Sequence, residues 1–333
     1  MKNKKKYIFV FAIACFALSL FVSGSFGIEL QKGTEIVFAD IEQAQKILTT
    51  KDIYINSQTP FDRRLRLNKE EPVSLEEYID FLSRQALEWS DNEKNQIGAL
   101  VQDISTHLEE YDLKLPSEIF IVKTTGREEG QAAYCRSNAI ILPQNFVRRI
   151  DQSLETLITH ELFHIFTKNN LDIRQILYNL ISFKKCEKVE LPQSLLDIEI
   201  TNPDVPVERY AIELRHEGKN IEVIPMITAP NFNPARVLPL FALLKLQFVE
   251  IEKVDGQYRY KHNESGEPVV YDQNQLPDLF NKVGENTNYL IHPEEILADN
   301  FPIVILEKQE VKSQWIIDKM QDILIIKKTG QTS

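Results

Sequence analysis

Residues 154–169 read LETLITHELFHIFTKN. Leu154, Leu157, Ile158, Leu162 and Ile165 fall at i, i+3, i+4, i+8 and i+11, the apolar stripe of a helix docked on a sheet. Inside that stripe lies His160-Glu161-Leu162-Phe163-His164. Side chains four apart share a helical face, so the two imidazoles can converge on one ion. Glu161 sits about 60° round the helix from His164, beside the position a water would fill. Two neutral imidazoles and a carboxylate suit Zn²⁺, which keeps a fourth position open and lowers the pKa of a water there to roughly 7. The bland reading is an amphipathic helix with two surface histidines. Against it, Leu157, Ile158, Leu162, Ile165 and Phe166 are apolar and no proline intervenes, as a core helix behind a metal site requires.

The third ligand must come from elsewhere. A Gly and a third His three and six residues after His164 would make an extended site, but Thr167 and Asn170 stand there. What remains is a Glu on a separate helix with an acid four residues later. Residues 291–301 (IHPEEILADNF) supply it as Glu295 and Asp299. One helical turn separates the two, so Glu295 is expected to face the metal while Asp299 accepts the outer N–H of a ligand histidine and fixes its tautomer. Glu294, His292 and Asp299 compete for the third position, and the acids would also complement the dipole at a helix start.

With His160, Glu161, His164, Glu295 and Asp299 in these places, the chain resembles the gluzincin zinc metallopeptidases. The resemblance implies an α+β, zincin-like fold: a small twisted sheet over the motif helix, followed by a largely helical C-terminal part. It implies Zn²⁺ as cofactor, a peptide or protein as substrate, and Glu161 as the base that takes a proton from water and passes it to the leaving amine. It also implies an edge strand over the cleft, for which residues 132–142 are suitably placed, although an ordinary strand accounts for them equally well. Such sites commonly add a Tyr or His that stabilises the oxyanion; Tyr289 is the best placed, followed by Tyr134 and His292. Tyr289 is also readable as an aromatic packed beside the C-terminal helix. Compact members of the family lack the 131-position span from His164 to Glu295, which must hold an inserted strand-rich region at about 200–265.

The whole chain is of ordinary globular composition, 333 residues with 43% hydrophobic and 26% charged side chains. Lys and Arg number 38 against 49 for Asp and Glu, a formal charge of −11 with no basic run beyond the first six residues, so a nucleic-acid partner is disfavoured. Lys2, Lys4, Lys5 and Lys6, the apolar run 8–22, and then Ser23, Gly24 and Ser25 follow the order of a secretory signal over residues 1–27. Its removal would take the charge from −11 to −15 and predicts a secreted or periplasmic protein. The competing reading is an uncleaved anchor, the only membrane attachment expected. Cys135 and Cys186 then remain, enough for at most one disulfide, so the fold must rest on a packed core; whether they pair is left open.

Residues 28–115 are expected to form an N-terminal helical region, in which Ser74 with Glu77 and Ser90 with Glu93 match capping boxes for helices near 75–88 and 91–110. Arg63, Arg64 and Arg66 read as a solvated face or as partners for nearby carboxylates. Residues 116–333 are expected to form the zincin-like domain, with Pro302 stopping or kinking the helix that Pro293 opens. The function expected is exported, zinc-dependent hydrolysis of peptide bonds. The alternatives are an envelope binding or scaffold protein of zincin fold without turnover, and a zinc amidase acting on cell-wall peptides. The oligomeric state is not legible.

Overall fold

A computed structural model describes residues 27–236, 238–307 and 311–325. Residues 1–26, nearly all of the segment read as a secretory signal, lie outside the described residues. The fold is mixed α and β, with two sheets. The first contains β1 (Gly27–Gln31), β2 (Thr34–Phe38), β3 (Ala86–Leu87), β4 (Glu118–Thr124), β5 (Tyr134–Arg136) and β6 (Ala139–Pro143). Its order is β1-β2-β4-β6-β5, with β3 beside the end of β4. Strands β2, β4 and β6 run parallel, and β1 and β5 close the two edges in antiparallel sense.

The central strands are buried on both faces, as parallel strands require. Along β6, Ile140 and Leu142 pack with Ile158 and Leu162 of the motif helix, whereas Ala139 and Ile141 pack with Ala44, Leu48, Tyr78 and Leu82. That period-two alternation makes three layers. Helices Ile41–Thr49 and Leu75–Ser83 cover one face; helices Asp91–Leu108 and Gln152–Asn169 cover the other.

The region before residue 116 is therefore not purely helical, contrary to expectation: β1, β2 and β3 belong to the same sheet as β4 to β6. Strands of five and two residues carry too little alternation to be seen in isolation, and they are fixed by pairing with neighbours far along the chain. The capping expectations differ in outcome. Ser90 and Glu93 form the reciprocal box, but Ser74 only accepts from the Glu77 N–H, because the Glu77 carboxylate pairs with Lys69 instead. The arginine cluster is mostly internal. Arg63 donates to the carbonyls of Gln58 and Val73, and Arg66 pairs with Asp62 at 2.9 Å and with Glu129, so the solvated-face reading yields to the ion-pair one.

The motif helix, Gln152–Asn169, starts at Asp151, whose side chain accepts from the Ser153 N–H. It is buried well beyond the expected stripe, since Phe163 and Phe166 are also inside. The cause is a second helix, Pro293–Ile305, whose Phe301 ring lies 5.3 Å from that of Phe163 and 6.5 Å from that of Phe166. Pro302 sits within this helix and does not stop it; the helix ends after Ile305, where the Leu306 N–H reaches back to the Pro302 carbonyl.

The second sheet is the strand-rich insertion, and it is longer than expected. It comprises β7 (Phe183–Cys186), β8 (Val189–Glu190), β9 (Arg209–His216), β10 (Lys219–Thr228), β11 (Lys245–Val254), β12 (Gln257–Tyr260) and β13 (Val270–Tyr271). The order is β7-β9-β10-β11-β12-β8, with β13 on β11. Two-residue turns at Glu217-Gly218 and Asp255-Gly256 have φ of 47° and 79°, and of 50° and 83°, the doubly left-handed backbone that matches the twist of a tight hairpin. Phe183, Ile212 and Phe248 of this sheet join the same core as the motif helix. Between β8 and β9 the chain returns irregularly toward the first sheet, where the Cys135 N–H of β5 donates to the Asp204 carboxylate at 2.9 Å. Cys135 and Cys186 are both buried free thiols. No helix among the described residues is long and apolar enough to cross a membrane.

Candidate metal centre

Helical spacing does what the sequence led one to expect: His160 and His164 stand one turn apart, their rings 4.9 Å between centroids and inclined at 78°. Glu295, in the first turn of the Pro293–Ile305 helix, faces them. Its Oε2 lies 3.5 Å from His160 Nε2 and 3.6 Å from His164 Nε2, and the three donor atoms all lie within 4.8 Å of one another. Ligands about 2.0–2.1 Å from a tetrahedral ion sit roughly 3.3 Å apart, so this spacing is close to that of a preformed site.

Each imidazole is turned inward by a carboxylate behind it. Asp299 Oδ1 lies 2.9 Å from His160 Nδ1, and Thr287 holds the other oxygen of Asp299. Glu294 Oε1 lies 3.0 Å from His164 Nδ1, while Thr167 and Tyr178 donate to the Glu294 carboxylate. A proton on each Nδ1 leaves the Nε2 lone pair for the centre. His164 Nε2 is buried with no hydrogen-bond partner, and so is Glu161 Oε2. Buried polar atoms without partners are costly, and here both belong to the motif, so the residues present fit a divalent cation and an accompanying polar ligand.

The competitors for the third position have other work. Glu294 supports His164. His292 caps the helix by accepting from the Glu294 N–H, and burial pushes its pKa down to about 3, so it stays neutral. Asp299 is engaged with His160. Of the candidates for oxyanion stabilisation, Tyr134 is buried in the core on the opposite face of the first sheet. Tyr289, 40% exposed, lies on a cavity of about 240 Å³ shared with Asn202, Asp204, Leu240 and Phe241. Burial and the carboxylates of Glu295, Asp204, Asp299 and Glu161 raise its phenol pKa, so the hydroxyl stays protonated and able to donate.

Two residues of the centre escaped the sequence reading, which placed residues 200–265 only in an inserted strand-rich region. Asn202 Nδ2 donates to Glu295 Oε1 at 2.8 Å. Asp204 approaches Glu161 and Cys135 closely enough that one ligand atom of each lies within 4.8 Å of the others. Burial and the Asp204 charge push Glu161 up to about 7. Asp204 also occupies the edge of the first sheet: the outward N–H of Cys135 goes to Asp204 and its outward carbonyl to Lys168 at 3.0 Å. Of the expected edge strand at 132–142, only β5 (Tyr134–Arg136) lies at the sheet edge, its central main-chain groups engaged by side chains, while residues 139–142 belong to the internal strand β6.

Replacing Asp299 by Ala removes the acceptor that orients His160. The variant is expected to release a bound divalent metal about 10- to 100-fold more readily, measured by competition with a chromophoric chelator. No family model, curated protein or solved structure matches the chain.

Proposed function

We propose that the chain is an exported zinc-dependent peptidase of gluzincin type, with a zincin-like catalytic unit. The observation that carries this reading is the convergence of His160 Nε2, His164 Nε2 and Glu295 Oε2, at 3.5 and 3.6 Å, with both outer nitrogens already held by Asp299 and Glu294. Zinc held by His160, His164 and Glu295 would supply a Lewis acid and a water made acidic enough to lose its proton near neutral pH.

The chain's own groups divide the remaining work. Glu161 receives a proton at Oε2, the oxygen without a partner, and delivers it to the departing amine. Tyr289 donates its hydroxyl proton toward the carbonyl oxygen as negative charge gathers there. Asp299 and Glu294 keep their histidines in one tautomer throughout. The cavity beside Tyr289 has room for a substrate side chain, and its walls at Ile200, Leu240, Phe241 and Leu246 are apolar.

Metal analysis of the purified protein tests the centre. The expected result is one zinc per chain, lost in a His160→Ala variant; a zinc-free protein under replete conditions overturns it. A second reading, a binding or scaffold protein with the centre but without turnover, is favoured by one observation, the engagement of Cys135's outward main-chain groups by Asp204 and Lys168, which an extended substrate would have to displace. Zinc content together with hydrolysis of a peptide library separates the two: metal with turnover supports the peptidase, and metal without turnover supports the scaffold.

A further inference from the structure

We infer that Asn202 is a positioning residue of the metal centre, and that the Asp62–Arg66 pair in the N-terminal part of the chain holds it in place. The inference rests on the reading of His160, His164 and Glu295 as metal ligands. A carboxylate ligand has two oxygens, and something must decide which one faces the ion. In Glu295, Oε2 faces the two Nε2 atoms, and Oε1 receives the Asn202 amide at 2.8 Å. The amide cannot be turned over without loss. Its oxygen accepts the Asp204 N–H at 3.0 Å, so its NH₂ group is the end presented to Glu295.

Asn202 is fixed from behind as well. The Thr201 N–H donates to Asp62 Oδ2 at 3.0 Å and the Thr201 carbonyl accepts from Arg66 Nη2 at 2.7 Å, a clamp on both polar groups of one peptide residue. The clamp is itself a buried ion pair: the Arg66 side chain is 1% exposed and that of Asp62 is 0%, with Glu129 pairing on the far side and Tyr54 donating to Glu129. Burying such charges rarely adds stability over apolar residues of the same size, but in some proteins it specifies one arrangement. Here the arrangement specified is the path of residues 201–204 past the ligand carboxylate. On this inference the region before residue 116 sets the position of Asn202 beside the ligand carboxylate without contributing a ligand.

The test measures zinc affinity by chelator competition in Asn202→Ala, Asn202→Asp, Glu295→Gln and the double variant Asn202→Ala/Glu295→Gln, alongside the thermal midpoint of each metal-free protein. Asn202→Ala is expected to weaken zinc binding about 10- to 100-fold, with the metal-free midpoint lowered by only a few °C for its two lost hydrogen bonds. Asn202→Asp is expected to weaken it further, because a carboxylate then faces Glu295. In the Glu295→Gln background the Asn202→Ala change is expected to cost nothing more, since its effect acts through that carboxylate. A Co²⁺-loaded Asn202→Ala protein should also show an altered ligand-field spectrum. If the parent binds zinc and Asn202→Ala binds it equally well, or if the two changes simply add, the positioning role is overturned while the metal centre stands. A parent that takes up no zinc overturns both.

Discussion

If the chain is the zinc peptidase proposed, a Glu161→Gln protein is expected to keep bound zinc and to lose about 10³-fold in kcat, with KM little changed. Gln matches Glu in shape and helix propensity, and position 161 contributes none of the three converging donor atoms, so neither fold nor metal content should respond. What disappears is proton affinity at one oxygen. Glu161 Oε2 is buried without a partner, and in the metal-free protein burial together with Asp204 pushes the carboxyl up to about 7, the direction that favours taking a proton. An amide does neither. The loss should appear in kcat because the interaction is made as the proton moves and not when substrate binds. Zinc stoichiometry measured beside turnover separates chemistry from assembly. A variant that keeps zinc and turns over as fast as the parent would refute Glu161 as the base.

The parts of this arrangement that could be read from sequence are those that helical geometry fixes locally. His160 and His164, and Glu295 and Asp299, each stand four apart on one helix, so their shared faces follow from the period alone. The division between Glu294 and Glu295 was less legible: adjacent helical residues point about 100° apart, and which acid faces the ion and which supports His164 depends on how the two helices cross. Asn202, Asp204 and the Asp62–Arg66 clamp were not legible. They reach the centre through contacts spanning 93, 69 and 139 positions, from a stretch whose local chemistry says only turn. The same holds for β5 and β6, which read as one apolar stretch because a single left-handed residue, Ser137 at φ 51°, suffices to fold it back on itself. The paired histidines of the motif therefore announced a candidate centre, while its far wall had to come from the fold.

If the centre holds zinc as proposed, stripping the metal is expected to lower the thermal midpoint by about 6 °C when free zinc had exceeded its dissociation constant about 1,000-fold, a linkage contribution of about 4 kcal/mol. The size of the drop should depend on pH, and its sign follows from His164. Burial works against the charged imidazole, but Asp204, Glu295 and Glu294 outweigh it and raise the pKa from its ordinary 6.5 to about 9 in the metal-free protein. A histidine whose folded pKa is raised stabilises the fold fully below about 6.5 and loses that contribution as pH rises through about 9. Protons thus substitute for zinc at low pH and abandon the site at high pH, leaving the carboxylates to repel one another. A metal bound by His160, His164 and Glu295 would exclude that titration. The difference in midpoint between loaded and chelator-treated protein should therefore widen from pH 6.5 to pH 9, and zinc added back should close it. In a His164→Ala protein chelator should have little effect at either pH, because the ligand set is broken. Equal midpoints with and without chelator in a parent that carries stoichiometric zinc would show that the ion lies outside this buried cluster.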